Sequence, residues 1–61
     1  MRFYIETMDA VLVEFAPDGR VKLEGEDWTV PTLQETRAIL YAARIEIRDL
    51  QELIDALESR R

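Results

Sequence analysis

The 61 residues contain neither cysteine nor histidine. A disulfide framework and the usual Cys/His zinc site, two common reinforcements of very short domains, are therefore excluded. Nucleophilic and general-base catalysis lose their commonest groups as well, and the single serine, Ser59, falls in what reads as the last turn of a helix. Paired-carboxylate chemistry remains, but it needs a concave pocket that so short a chain can scarcely build. Both glycines, Gly19 and Gly25, sit in turn sequences, so there is no phosphate-cradling loop. The composition points away from an enzyme and implies no cofactor, no metal and no small-molecule substrate.

Long apolar runs are also missing. The longest uncharged stretch of the C-terminal half runs from Ala38 to Ala43, far short of the roughly 20 residues of a membrane span. Glu6 arrives before any apolar signal-peptide region has formed. The expectation is a cytoplasmic protein with no membrane partner. A chain this short buries only about 60% of the surface its unfolded form exposes, and oligomerisation is the remaining route to a larger core.

The net charge is −5, from 13 acidic and 8 basic residues. Residues 1–30 hold seven of the acids against three bases, so the acidic excess lies in the first half. It disfavours non-specific binding of nucleic acid by the surface at large.

Residues 2–7 alternate, with Phe3, Ile5 and Thr7 on one face and Arg2, Tyr4 and Glu6 on the other, the period-two pattern of a half-buried strand. After a turn at Met8-Asp9-Ala10, a second run sets Val11, Val13 and Phe15 against Leu12, Glu14 and Ala16. Pro17-Asp18-Gly19 is the strongest local signal: proline presets the turn, aspartate suits the next position and glycine accepts the left-handed conformation. A three-residue loop there places Ala16 opposite Arg20, Phe15 opposite Val21, Glu14 opposite Lys22 and Val13 opposite Leu23. A three-residue first turn pairs Phe3 with Phe15, Ile5 with Val13 and Thr7 with Val11. The expected core face is Phe3, Ile5, Val11, Val13, Phe15, Val21 and Leu23, with Tyr4 and Leu12 as a small apolar patch on the outer face. Trp28-Thr29-Val30 is extended, with room for a brief fourth strand before Pro31.

From Thr32 onward the chain reads as one helix to Arg61. Thr32-Leu33-Gln34-Glu35 matches a capping box, and Arg60 and Arg61 complement the dipole at the far end. Leu33, Thr36, Leu40, Ala43, Ile47, Leu50, Ile54 and Leu57 recur at alternating spacings of three and four without a charge among them, a heptad seam. The first half, which also carries Ile39, Tyr41 and Ala42, is expected to lie on the meander. The second half, with Ile47, Leu50, Leu53, Ile54 and Leu57, has nothing of its own left to cover it. The fold class is therefore α+β: a single domain, residues 1–61, in which a three-stranded β-meander, with room for a fourth strand, precedes one long amphipathic helix, dimeric through that helix. Leu40, Ala43, Ile47, Leu50, Leu53, Ile54 and Leu57 are the expected oligomer interface.

Candidate contacts to a different partner are Trp28, a large apolar residue in an irregular segment, and Arg37, Tyr41, Arg44 and Arg48, which line one helix face at spacings of four, three and four. The latter face suits an acidic partner or phosphates, although Arg48 and Glu52 also form an ordinary surface pair. Glu24, Glu26 and Asp27 make an acidic turn whose spacing fits no calcium loop. The leading expectation is a small non-enzymatic protein-interaction module, an adaptor or regulator that homo-oligomerises. Three alternatives stand beside it: an acidic inhibitor mimicking nucleic acid, a nucleic-acid binder using the arginine stripe, and a structural subunit of a larger assembly.

Overall fold

The computed structural model describes residues 1–60. In chain order its elements are strand β1 (Phe3–Ile5), a 3₁₀ turn (Glu6–Met8), β2 (Ala10–Phe15), β3 (Val21–Leu23), β4 (Trp28–Thr29) and helix α1 (Leu33–Glu58). The strands form one antiparallel sheet in the order β1-β2-β3-β4, so the fold is the α+β meander and helix read from the sequence, with the fourth strand present.

The β2–β3 hairpin closes as its turn residues dictate. The Ala16 amide donates to the Arg20 carbonyl at 2.9 Å and the Gly19 amide to the Ala16 carbonyl at 3.0 Å. Gly19 sits at φ 95°, a conformation that a side chain would strain. Asp18 locks the loop, its carboxylate accepting from the Arg20 amide at 3.1 Å and from the Arg20 Nε at 2.9 Å. Phe15 faces Val21 and Glu14 faces Lys22, as expected.

The remaining register differs in two places. β1 pairs Phe3 with Leu12, Tyr4 with Val11 and Ile5 with Ala10, not with Phe15, Val13 and the residues between. The connection is a 3₁₀ turn closed by Asp9, which adopts the left-handed conformation at φ 48°, one that aspartate tolerates far better than alanine. That connection shifts strand pairing by three residues, and an odd shift exchanges the faces. A bulge then corrects the phase. Leu12, not Val13, stands opposite Leu23, and the ladder resumes at Glu14 with Val13 as the extra residue.

The core changes accordingly. Ile5, Leu12, Val21 and Leu23 are buried, and Phe3, Met8, Ala10, Ala38, Ile39 and Ala42 pack around them. Leu12 leaves the outer patch it was expected to share with Tyr4, whose neighbour there is Val11. Val11 and Val13 are only half-buried, Thr7 is exposed, and Phe15 is exposed although it is paired with buried Val21.

Helix α1 begins with the anticipated capping box. The Glu35 amide donates to the Thr32 Oγ1 at 3.1 Å, and the Thr32 amide donates to the Glu35 Oε1 at 2.8 Å. Its end comes earlier than expected. Ser59 caps it, its amide donating to the Asp55 carbonyl at 3.0 Å and its hydroxyl to the Ala56 carbonyl at 3.2 Å, a local hydrogen bond of the kind that competes with helix continuation. No basic residue stands in the last turn; Arg60 lies beyond the cap, and Arg61 lies outside the described residues.

Two outcomes follow. Leu12→Ala should destabilise the protein by about 2–4 kcal/mol in urea unfolding, the cost of emptying a core site, whereas Val13→Ala should cost about 1 kcal/mol or less; equal losses would place Val13 in the core after all. Asp18 is held below the usual carboxylate range first by the Arg20 amide and then by its guanidinium. Glu24 is held low by its hydrogen bond and ion pair with Arg2. A carboxylate lowered in the folded state contributes stability above its unfolded pKa and loses it as pH falls through the folded value. Acid should therefore weaken both contacts only below about pH 4, and Asp18→Asn should flatten the fall of the thermal midpoint measured there.

Candidate interaction surface

A helix repeats every 3.6 residues, so which of its faces meets the sheet is settled by a few side chains. Ala38, Ile39 and Ala42 pack on the core, and half-buried Glu35 and Ile45 continue the same strip. The heptad seam runs roughly a third of a turn further round. Ile39 and Ala42 thus lie on the meander as expected, but Tyr41 does not and is exposed. The expectation that the first half of the seam lies under the sheet is corrected as well. Leu33 and Leu40 are exposed at 66% and 44%, much like Leu50 at 49% and Ile54 at 48%. Ile47 and Leu57 are exposed too, while Thr36 and Ala43 are half-buried. An apolar stripe therefore runs the whole length of α1 beside the sheet-covered strip rather than starting where that strip stops.

Beyond Ile45 every residue from Glu46 to Arg60 is exposed. Leu53 is exposed there on the side where the sheet lies further up the helix. The whole-molecule dimensions express the same fact. The radius of gyration is 14.0 Å, against about 10.5 Å for a compact chain of this length. The accessible surface is 5118 Å², against about 4,100 Å² for a compact folded monomer of this mass.

Two depressions adjoin the stripe. A cleft of about 440 Å³ opens between the β2–β3 loop and the start of the helix, walled by Val21, Val30, Pro31, Ile39 and Leu40 with Asp18 and Arg20 at its rim. A smaller groove of about 200 Å³ lies where Met1 and Phe3 approach Ala43, Glu46 and Ile47. No pattern in the sequence announces this groove, because it depends on where β1 crosses the helix, and that follows from the register of β1.

Trp28 is placed on β4 opposite Lys22, hence on the sheet face away from the helix, and is 39% exposed. The Arg20 guanidinium lies 5.6 Å from its ring centroid, within cation–π range, and its amide donates to the Asp27 carboxylate at 2.8 Å. Met1, Val13, Glu14 and Phe15 join it around a shallow depression. Arg37, Tyr41, Arg44 and Arg48 stand exposed on a third helix face, and the structure does not join them to Trp28. Arg48 lies 3.9 Å from Asp49 and not against Glu52, the pair expected from spacing. Tyr4 donates its hydroxyl to the Asp9 carboxylate at 2.9 Å, a bond that raises its pKa above the ordinary phenol value.

Among the described residues no polar or charged side chain is buried, no group of three or more acidic side chains is arranged to hold a metal ion, and no helix is long and apolar enough to cross a membrane. What the arrangement offers chemically is apolar surface in a continuous, straight-sided band. Comparison with protein-family models, with curated proteins and with solved structures gives no match.

Proposed function

We propose that the protein is a small non-enzymatic protein–protein interaction module that pairs with a second copy of itself through the α1 stripe and turns the outer face of its sheet, around Trp28, toward a different protein. The observation that carries this reading is the uncovered stripe Leu40, Ala43, Ile47, Leu50, Ile54 and Leu57. Fully burying a side chain such as leucine or isoleucine stabilises by about 1.5–3 kcal/mol, and these residues stand roughly half in water. The excess of about 1,000 Å² over a compact monomer is the size of one partner's share, about 800 Å², of a standard interface. A second copy fits because its own stripe has the same length, the same apolar character and no charge to desolvate.

The face around Trp28 is the part left for a second partner, since it lies on the other side of the sheet from the helix. Tryptophan with an adjacent arginine is a combination enriched among residues that dominate binding energy. Trp28 and the stripe are thus separable by substitution.

Sedimentation equilibrium across a concentration series should give the dimer mass at micromolar concentration. Leu50→Glu and Ile54→Lys should each weaken self-association at least about 100-fold, the scale of an uncompensated charge in a buried interface, while Trp28→Ala should leave the mass unchanged. A wild-type chain that is folded and monomeric at high micromolar concentration would overturn the reading.

A further inference from the structure

We infer that the two chains pair antiparallel in one particular alignment, with Ile47 level with Leu50 of the partner subunit, Ala43 level with the partner's Ile54, and Leu40 level with the partner's Leu57. This rests on the self-pairing proposed above and adds the direction, the register and a second contact. A twofold axis repeats each of these layers, which gives six layers with no polar residue among them. The small Ala43 meets a large isoleucine in each copy, so volumes complement one another across the seam. Leu33 and Thr36, the latter the one polar residue of the stripe, fall past the end of the partner helix.

Charge separates this alignment from the one in which the two helices overlap by a further heptad. The flank away from the sheet carries Arg37, Arg44, Gln51 and Glu58, and here Arg37 stands level with the partner's Glu58, and Arg44 with the partner's Gln51. Sliding the helices by one heptad brings Ile47 level with the partner's Ala43. It then sets Arg44 against the partner's Arg44 and Glu46 against the partner's Glu46 across the axis, two like-charge contacts. A parallel pair sets alanine against alanine at position 43 and threonine against threonine at position 36, and it forms no cross-helix ion pair.

The groove supplies an independent reason. Each meander covers only the first half of its own helix. In the antiparallel pair, that first half lies beside the uncovered second half of the partner helix, on the same side of the helix pair as the partner's Leu53. The groove of Met1, Phe3, Ala43, Glu46 and Ile47 then receives the partner's Leu50, Leu53 and Ile54. Leu53 lies outside the stripe, is 52% exposed and has no cover of its own; this pairing provides that cover. In a parallel pair both meanders sit at the same end, and Leu53 stays in water.

The chain has no cysteine, so a single introduced one carries a probe without ambiguity. Gln34→Cys, at an exposed position in the first helical turn, is labelled with a nitroxide, and the separation of the two labels is read by pulsed dipolar spectroscopy. At about 1.5 Å per residue and a helix spacing of about 10 Å, the proposed alignment gives about 45 Å. A separation of about 35 Å would mean the slid alignment and about 20 Å a parallel pair, either of which overturns the inference while leaving self-pairing intact. Absence of any dipolar coupling at 100 µM in the folded protein would overturn self-pairing itself. Leu53→Glu should weaken the dimer at least tenfold, and an unchanged dissociation constant would place the groove outside the interface.

Discussion

The constraint on which the rest of the structure depends is a mismatch of lengths. Helix α1 has 26 residues and so runs about 39 Å, whereas the longest strand, β2, has six residues and spans about 20 Å. No arrangement of the meander on the helix covers more than one half of it. The sheet lies on the first half through Ala38, Ile39 and Ala42. The second half projects into water, and an isolated helical segment of a dozen residues is marginal by itself.

The same mismatch limits the core. Among the described residues four, Ile5, Leu12, Val21 and Leu23, are buried, and none of them belongs to the helix. A domain of this size lives close to the edge of stability, and here half of its largest element contributes nothing to its own core. Pairing through α1 would couple folding to association, so that stability rises with concentration by mass action. The capping box at Thr32 and the Ser59 cap fix where the stripe begins and ends, and therefore how much helix is available to a second chain.

Most of the architecture was legible in the sequence because local chemistry specified it. Pro17-Asp18-Gly19 set one hairpin, and Thr32 with Glu35 set the start of the helix. The seam from Leu33 to Leu57 also announced itself, since its spacing is a property of the helix alone. What could not be read was how elements meet. The 3₁₀ connection ending at Asp9 shifts the β1–β2 pairing by three residues and the bulge at Val13 shifts the β2–β3 pairing by one, and together these odd shifts exchange Leu12 for Val11 and Val13 in the core while leaving Phe15 opposite Val21. Alternation cannot reveal two compensating shifts, because Val11, Leu12 and Val13 are all apolar. The seam was likewise read correctly as a stripe but wrongly placed under the sheet in its first half, since Ile39 and Ala42 form an equally plausible apolar strip one step round the helix. Whether the helix rests on the strip or on the seam is a tertiary choice. The groove at Met1 and Phe3 depends on that choice and was invisible for the same reason.

Amide hydrogen exchange along α1, followed as a function of protein concentration, tests most directly whether the projecting half of the helix is covered by a second chain. If it is, protection of the amides from Ile47 to Leu57 rises with concentration and reaches that of the sheet-covered segment around Ile39 and Ala42. Protection of the far half that stays low, or that is the same at every concentration, would contradict the account.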